Sequence, residues 1–421
     1  MIDADTGTGG SRAAAAAQTI DQDSFVTLDF ELRYTCAHAR HTERRHVPQV
    51  NIWRDILPPG LEAALIGKQV GDRIALRFDE SALAPASRAH QIRDIRLADF
   101  DGGIIPGWPL VPAIGRYLPL GTLHRAGIGG IYRDNRKPFR VTMVEGGRLR
   151  ADLNHPLAGV PIDLAATVAA VSAKAGDRGG RCRDWSEVLT DGPGMQCRAG
   201  SVPTEFFDGD WASRAAEGDD ADFYANPRFV AHVDSRAIAH ISRLYADFLG
   251  DGMRVLDLMT ADRSHLPDHL CLRSVTGLGM NVSELAANPI LTGRVVYDLN
   301  ADPRLPFADE AFDAAMCTVS IEYLTRPVEV VSEVARVLAP GAPFVVTFSN
   351  RWFPPKVLKV WRAAHVYERL GYVLECFLRT GKFAGLETLV VRGEPRPADD
   401  PHVSETAESD PVFAVWGRRV H

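Results

Sequence analysis

The alternation of strand-like and helical segments after residue 225 constrains the fold of this 421-residue chain more than any other feature. Short apolar runs, separated by stretches with helical periodicity, recur to the end of the chain: MRVLDLM, SVTGLGM, RVVYDL, FDAAMCTV, APFVVTF, ETLVVR and PVFAVWG. Such alternation is typical of a doubly wound α/β fold, in which helices cover both faces of a largely parallel sheet. The last two runs lie close together and therefore predict an antiparallel edge.

Residues 23–175 show a different pattern, in which short β-type runs are broken by proline and glycine. A helix is predicted at Leu61–Leu65, because this segment follows two prolines and ends just before Gly67. Residues 81–137 are rich in proline and glycine and too long for a simple loop, so they predict an inserted lobe. The first domain is therefore predicted to be a β-rich α+β domain.

The remaining segments complete a two-domain organisation. Residues 1–22 contain an alanine stretch but neither a cationic start nor a long apolar core, so we expect a disordered leader. Residues 176–222 are rich in Gly, Asp and Arg without a sustained period, which predicts a linker to the α/β domain at 223–421. Because no segment approaches the roughly 18 apolar residues of a membrane helix, a soluble, cytoplasmic protein is expected.

Charge and cysteine usage bear on the partners. The formal net charge of −7 provides no general attraction to phosphate backbones, so no nucleic-acid partner is expected. No membrane partner is expected either, because no apolar segment is long enough to cross a membrane. The six cysteines include no CxxC pair, which argues against a zinc ribbon or a redox motif. Cys36, His38, His41 and His46 have a spacing loosely like that of metal ligands, but a solvated loop is the favoured interpretation, and no metal site is predicted.

A doubly wound sheet binds its ligands beyond the carboxyl ends of its strands, near the point where strand order reverses. Four segments follow the first four predicted strands, and they are the places to look for a site. Their sequences are VLDLMTADRSHLP at 255–267, GLGMN at 277–281, YDLNADPRLPF at 297–307 and CTVSIEYL at 317–324.

Two motifs, LPFADEAFD at 305–313 and EVARVLAPGA at 333–342, resemble those of class I S-adenosylmethionine-dependent methyltransferases of the small-molecule type. The resemblance covers the C-terminal half and implies a Rossmann-like, seven-stranded methyltransferase sheet with S-adenosylmethionine as the cofactor. It also implies that Asp257 orders the first loop and that Asp298 and Leu299 contact the adenine. The predicted function is methyl transfer to an unidentified small-molecule or peptide acceptor.

The first two loops depart from the family pattern. Met259, Ala261 and Arg263 stand where the family has glycines, which let the backbone approach the cofactor. The family's ribose-binding acid aligns with Gly279, which leaves Asn281 as the nearest polar substitute. We therefore predict a variant binding site, and the alternative is a pseudo-enzyme that keeps only the fold. The other predicted cofactor-binding residues are Thr260, Ser264, Met280 and Ser320.

Methyl transfer requires a positioned acceptor, exclusion of water and, for some acceptors, removal of a proton. His265 and Tyr323 are the candidate catalytic residues, although Tyr323 is equally compatible with a packing role. Glu322, Asn350 and Arg351 are candidates on the acceptor side, with a simple ion pair as the alternative for Arg351.

Two N-terminal segments, PPGLEAALIGKQVGDRIALRF at 58–78 and NHPLAG at 154–159, resemble FKBP-type prolyl isomerases of the flap-bearing, SlyD-like kind. The inserted lobe occupies the place of the flap. The resemblance implies a groove for a proline-containing peptide, although the same residues suit an ordinary core. The groove residues would be Phe30, Leu57, Leu61 and Leu164.

The family's pocket aspartate has no counterpart, so isomerase activity is expected to be weak or absent and the domain to bind substrate. The rival hypothesis for the whole chain is a prolyl isomerase or chaperone-like binding protein whose methyltransferase-fold domain is non-catalytic.

Overall fold

The computed structural model describes residues 18–80, 82–105, 109–173 and 181–420. Residues 1–17 of the predicted leader lie outside this description. The end of the predicted leader is part of the fold, because Ile20 is buried and its backbone N–H and C=O pair with Lys68 and Gly67 at 2.8 Å each. The boundary at residue 22 is therefore corrected towards the N-terminus.

The first part of the chain consists mainly of strands. In chain order its elements are β1 (Ser24–Thr35), β2 (Arg40–Asn51), α1 (Leu61–Leu65), β3 (Arg73–Phe78), β4 (Ile92–Arg96), β5 (Tyr117–Pro119), β6 (Pro138–Glu145), β7 (Arg148–Asp152), β8 (Ile162–Ala173) and α2 (Trp185–Thr190).

Strands β2, β1, β8 and β3 form an antiparallel sheet in that spatial order. Alternate residues of β1 are buried, as expected for a strand with one face on a core. Helix α1 has the predicted bounds and buries Leu61 and Leu65 in this core. The β-rich character predicted for this part is confirmed.

The inserted lobe is a separate four-stranded sheet with the order β4-β7-β6-β5 and its own core around Phe139 and Leu149. It extends to Asp152, beyond the predicted limit at residue 137. The reason is that β6 and β7 pair with β5 and β4 and not with the sheet that contains β1.

The second part of the chain alternates helices and strands. Its elements are α3 (Asp220–Tyr224), α4 (Ser235–Ala246), β9 (Arg254–Leu258), β10 (Ser274–Gly279), α5 (Val282–Ala287), β11 (Gly293–Val296), β12 (Ala314–Thr318), α6 (Pro327–Val337), β13 (Pro343–Phe348), α7 (Lys359–Ala363), α8 (Val366–Thr380), β14 (Phe383–Arg392) and β15 (Val412–Arg419).

These seven strands lie in the order β11-β10-β9-β12-β13-β15-β14. The first five are parallel, whereas β15 runs antiparallel to both β13 and β14. Helices α6 and α8 pack on one face, and α4 and α5 contribute to a second core on the other. The predicted doubly wound, seven-stranded sheet with an antiparallel edge is confirmed.

The two sheets are continuous, because β14 pairs in parallel with β2 from Glu387 opposite Arg40 to Arg392 opposite Arg45. One sheet of 11 strands therefore crosses the chain from β11 to β3. Within the described ranges, no helix has the length and apolar character needed to cross a membrane.

The predicted linker is a packed segment in its described part, residues 181–222. Trp185 and Leu189 are buried in the core of the N-terminal sheet, whereas Met195 and Phe206 are buried in the core of the α/β part. Trp185 and Leu189 are four residues apart on the six-residue helix α2, which is too short to show a sustained period, and Met195 and Phe206 lie outside any helix or strand. The segment fastens the two parts of the molecule together.

Candidate functional site

A cavity of about 750 Å³ lies beyond the carboxyl ends of β9, β10, β11 and β12. Strand order reverses here, because β10 and β11 lie on one side of β9 and β12 lies on the other. Ligands bind at such a reversal point in open α/β sheets. Many of the predicted site residues line the cavity: Asp257, Met259, Thr260, His265, Gly279, Met280, Asn281, Asp298, Leu299, Ser320, Tyr323 and Arg351.

The first loop keeps a glycine-like backbone without its glycines. Met259 has a φ of 58°, in the left-handed region that costs a non-glycine residue roughly 1–2 kcal/mol. Its side chain packs against the adjoining core, and Arg263 is exposed with its Nε 3.4 Å from Asp262 Oδ2. The side chains expected to intrude therefore leave the cavity open.

Gly279 shows why the second strand carries no acid. The backbone N–H of Thr260 donates to the carbonyl of Leu278 at 2.9 Å, which draws the first loop against the end of β10. A Cβ on Gly279 would lie 2.2 Å from the Thr260 carbonyl oxygen, closer than real contacts allow. The altered first loop and the missing acid are thus two parts of one arrangement.

Asn281 does not fill the place of that acid. Its Oδ1 accepts from the backbone N–H groups of Ser283 and Glu284, which caps α5. Its Nδ2 donates to the carbonyls of Tyr224 and Ala225 at 2.8 and 3.0 Å. Both donors and both acceptor positions are used, so the predicted ribose contact is corrected to a structural role.

Asp257 lies beneath the first loop and is almost completely buried. Burial raises the pKa of its carboxyl to about 7, against hydrogen bonds with Ser264 and Thr260 that lower it. Its Oδ2 has no hydrogen-bond partner among the described residues. Ser264 accepts from Asn288 Nδ2 at 3.0 Å and supports the loop from below, so it does not line the cavity as predicted.

Asp298 and Leu299 both reach the cavity after β11. Asp298 Oδ1 accepts from the backbone N–H groups of Asn300 and Ala301 at 2.8 and 3.2 Å, which fixes the carboxylate in place. Leu299 is buried and presents an apolar wall beside it. A carboxylate next to an apolar surface is the combination predicted for an adenine edge.

Strand β12 ends in a second strained turn at the cavity wall. Val319 has a φ of 43°, and its N–H donates to the carbonyl of Thr347 at 2.7 Å. Positive φ is rare for a β-branched residue, and such strain concentrates at functional sites. Ser320 Oγ lies 3.2 Å from the Met259 carbonyl and 2.8 Å from that of Thr318, so its hydroxyl ties the two loops together.

Burial shifts the pKa values of the two predicted catalytic residues in opposite directions. Burial lowers the pKa of His265 to about 4, which leaves a neutral imidazole at pH 7. Burial raises the pKa of Tyr323 well above its usual range, and its hydroxyl accepts from the Phe353 N–H at 2.7 Å. Tyr323 is therefore unsuited to act as a base and forms part of the wall, which corrects that assignment.

Of the three residues predicted on the acceptor side, only Arg351 borders the cavity. Glu322 is completely buried, and within the described part of the chain neither carboxyl oxygen has a hydrogen-bond partner, so it cannot contact an acceptor as predicted. Asn350 is exposed and lines a second cavity of about 500 Å³ instead. Arg351 borders both cavities but is paired with Asp410 Oδ2 at 3.2 Å and His402 Nε2 at 2.8 Å.

Other residues that line the cavity were missed. Arg228 lies over Phe223 and within 5.4 Å of the Phe353 ring centre, and His232 meets the same ring edge-on at 5.4 Å. Glu284 of α5 also reaches the cavity. Arg228 and His232 precede α4, which begins at Ser235, and neither belongs to a motif that indicates a binding site.

The predicted groove of the N-terminal sheet is closed. Phe30, Leu61 and Leu164 are each at most 2% exposed and belong to the core between the sheet and α1, with Leu57 packed against it. Phe30, Leu61 and Leu164 are therefore closed to a ligand, and Leu57 alone of the four is partly exposed. The substrate-binding assignment of these four residues is therefore corrected to core packing.

Residues 266–346 match the family model described as a methyltransferase domain. This match covers the segments that follow β10, β11 and β12 at the cavity. This part of the chain is a methyltransferase domain. The cavity is lined by residues inside this match and by others outside it, such as Asp257 and Arg351, and we use the name methyltransferase domain for the whole α/β part of the chain.

Solved structures of low identity are similar to the methyltransferase domain. A chain in the complex between the Haloferax volcanii Trm112 methyltransferase activator and the putative methyltransferase is 19% identical over 45% of this chain and 90% of that chain, with a TM-score of 0.31. A putative methyltransferase from Bacillus halodurans is 13% identical over 44% and 99%, with a TM-score of 0.30. An S-adenosylmethionine dependent methyltransferase from Mesorhizobium loti is 17% identical over 44% and 98%, with a TM-score of 0.28. No curated protein matches the chain.

Proposed function

We propose that the methyltransferase domain transfers a methyl group from S-adenosylmethionine to an acceptor bound in the same cavity. The observation that carries this proposal is the open cavity at the reversal point of the sheet, which persists without the family's glycines. Its volume of about 750 Å³ falls within the roughly 300–1,000 Å³ typical of small-molecule sites. A pseudo-enzyme would more readily have lost this volume to the larger side chains.

The residues around the cavity fit the cofactor. Asp298 Oδ2 is the acceptor for an adenine amino group, because Oδ1 already serves the backbone, and Leu299 is the apolar surface for the ring. Asp257 and Thr260 hold the first loop against β10. When bound, S-adenosylmethionine supplies an electrophilic methyl group.

Glu284 is the carboxylate that we assign to the ribose in place of the missing acid on β10. It stands in the first turn of α5, lines the cavity, and is fixed by the Arg228 N–H, which donates to its Oε1 at 2.6 Å. Burial raises its pKa, and the negative charge of Asp262 acts in the same direction. Glu284 follows Gly279 by one strand-to-helix turn and lines the cavity. Its carboxylate therefore takes the role of the acid that the Thr260 backbone excludes from position 279.

The acceptor side is mainly aromatic. Tyr323 and Phe353 stack with ring centres 5.9 Å apart, and Tyr224 and His232 extend the wall. This surface suits a small, partly apolar acceptor and excludes water from the reacting atoms. We assign the removal of a proton from the acceptor to His265, which is neutral at pH 7 and lines the cavity.

Calorimetric titration of the full chain with S-adenosylmethionine and with its demethylated product tests this function. We expect saturable binding of both at one site. Asp298→Asn and Glu284→Gln are each expected to weaken binding by roughly tenfold to a hundredfold, since a hydrogen bond to a charged group contributes about 1.5–3 kcal/mol. Asn and Gln preserve the acceptor oxygens that fix the backbone, so the fold should be retained.

Asp268→Asn is the matched control, because Asp268 is exposed and lies outside the residues that line the cavity. It should bind like the unaltered chain. Absence of binding to the unaltered chain would contradict the methyltransferase proposal. Binding that persists undiminished in Glu284→Gln but falls in Asp298→Asn would contradict only the ribose assignment.

We also propose that the N-terminal part is an FKBP-like domain without prolyl isomerase activity. The supporting observation is the order of its elements, with α1 and β3 followed by a separate lobe that is inserted before β8. Because Phe30, Leu61 and Leu164 are buried in the core, we expect no isomerisation of proline peptides by the full chain in a protease-coupled assay. A rate comparable to that of an active family member would contradict this proposal and revive the rival hypothesis.

A further inference from the structure

Three side chains with metal-binding atoms converge where the N-terminal sheet joins the methyltransferase domain. His41 Nε2 lies 3.2 Å from Cys36 Sγ and 3.4 Å from Cys197 Sγ. All three ligand atoms lie within 4.8 Å of one another, and none of the three residues lines the cavity of the methyltransferase domain. The cluster is therefore a second candidate site, separate from the cavity proposed for methyl transfer.

The distances suit a tetrahedral ion. Zinc binds thiolate sulphur at about 2.3 Å and imidazole nitrogen at about 2.0–2.1 Å, so tetrahedral geometry separates a sulphur from a nitrogen by about 3.6 Å. The two sulphur–nitrogen distances here are within a few tenths of an ångström of that value. The three donors are thus already spaced nearly as they would be around the ion.

The His41 ring is oriented by a residue of β14, the strand of the methyltransferase domain that pairs with β2. His41 Nδ1 lies 2.8 Å from Thr388 Oγ1 of β14, and the Tyr34 ring stacks on the imidazole with a centroid distance of 4.8 Å. Such a bond to the second ring nitrogen fixes the orientation of most metal-binding histidines. Nε2 is consequently directed towards both sulphurs.

The two cysteines are held by different segments. Cys36 follows the end of β1, and its N–H donates to the Ala39 carbonyl at 3.0 Å across the hairpin. Cys197 belongs to the segment between the two parts of the molecule, where its carbonyl accepts from Arg140.

We propose that Cys36, His41 and Cys197 bind one Zn²⁺ ion, with water in the fourth position. His41 is buried, whereas both cysteines are partly exposed, so solvent reaches the cluster from the side of the two sulphurs. Two thiolates and an imidazole are among the donors that zinc prefers. His38 and His46, which the sequence grouped with this pair, bond elsewhere, to the Gly200 carbonyl and to Asp29.

The ion would join three segments that are distant in the sequence: the β1–β2 hairpin, the segment around Cys197 and, through Thr388, strand β14. A ligand that binds only the folded state stabilises it by mass action. We therefore expect zinc to raise the thermal unfolding midpoint of the full chain and chelation to lower it. This expectation does not depend on methyl transfer.

Zinc binding is tested on the reduced full chain, stripped of metal and titrated against a chromophoric chelator. We expect one Zn²⁺ per chain, and thiolate-to-metal absorption when Co²⁺ replaces it. Cys36→Ser and Cys197→Ser should abolish both signals, and Thr388→Val should weaken binding by roughly 10- to 100-fold through loss of the histidine's partner. Because Cys36 is only partly buried, its serine variant should remain folded, as circular dichroism can verify.

Cys182→Ser and His38→Gln are the controls, since neither residue belongs to the cluster. Both should retain one Zn²⁺. The proposal is overturned if the unaltered chain binds no zinc in this titration, or if the controls lose as much zinc as the cluster variants.

Discussion

The cavity of the methyltransferase domain and the core of the N-terminal sheet both contain departures from the motifs they resemble, but with opposite structural results. Met259 and Gly279 stand in place of motif residues, and the cavity is open, with the first loop held against β10 by the Thr260 N–H. Phe30 and Leu164 occupy expected groove positions, and there the side chains fill the volume. A lost motif residue thus removes a site only where something else occupies the space.

The largest expected effect concerns the core of the N-terminal sheet, where side chains fill the predicted groove. Phe30→Ala should lower the free energy of unfolding of the full chain by about 3–5 kcal/mol, because it leaves a void in a packed core. Denaturant unfolding measures the loss. A change below about 1 kcal/mol would mean that Phe30 is accessible after all and would restore the groove.

A second prediction restores the family's acid on β10. Gly279→Asp should abolish cofactor binding and lower the free energy of unfolding by roughly 1–3 kcal/mol, because its Cβ would collide with the Thr260 carbonyl. Calorimetry and denaturant unfolding measure the two effects. Gly218→Asp is the control, since a Cβ there meets nothing within 4 Å. Tighter binding by Gly279→Asp would show that the first loop can move away.

Glu322 is a further residue whose predicted role the structure does not support, because it is predicted to contact the acceptor but lies in the core. Burial raises the pKa of its carboxyl from 4.5 to about 8, so the folded state keeps the proton that the unfolded state loses. The stability from the neutral form is fully present below about pH 4.5 and is lost as the pH rises to about 8. Glu322→Gln should therefore match the unaltered chain near pH 4.5 and exceed its stability increasingly up to pH 8.

Thermal unfolding across this pH range, with the exposed Glu62→Gln as the baseline, checks that sign. A constant difference between Glu322→Gln and the unaltered chain would show that the carboxyl ionises in place. It would then be a candidate for the acceptor site again.

The smallest expected effect concerns the first loop. Met259→Gly should change cofactor affinity less than about threefold, because the backbone already has the left-handed conformation and the side chain is held against the adjoining core. Glu310→Gly is the control, because it removes a positive φ of 57° from a residue that does not line the cavity. A change seen in both variants would come from relief of backbone strain, whereas a change in Met259→Gly alone would come from removal of the methionine side chain. A gain above tenfold in Met259→Gly alone would show that the methionine obstructs the cofactor.

Local patterns predicted the parts of this molecule that depend on local physics. The alternation of apolar runs predicted the doubly wound sheet, and two prolines with a following glycine predicted α1 at its observed bounds. The LPFADEAFD motif placed Asp298 and Leu299 at the end of a strand, where they line the cavity.

The remaining features depend on partners that are distant along the chain. Asn281 is saturated by carbonyls 56 and 57 residues away, and Cys197 meets His41 across 156 residues. The connecting segment is anchored in one core by Trp185 and Leu189 of the short helix α2, and in the other core by Phe206, which lies outside any helix or strand. No local pattern encodes such contacts, because they arise only after the sheets are assembled.

The parallel pairing of β14 with β2 has a practical consequence for dissecting the molecule. A fragment that begins near residue 225 would leave the backbone groups of Glu387 to Arg392 without their partner strand. Unpaired strands of this kind invite association with other chains and aggregation. Neither half should be expected to behave as an autonomous module, and insolubility of an isolated half would reflect this severed pairing and carry no information about catalysis.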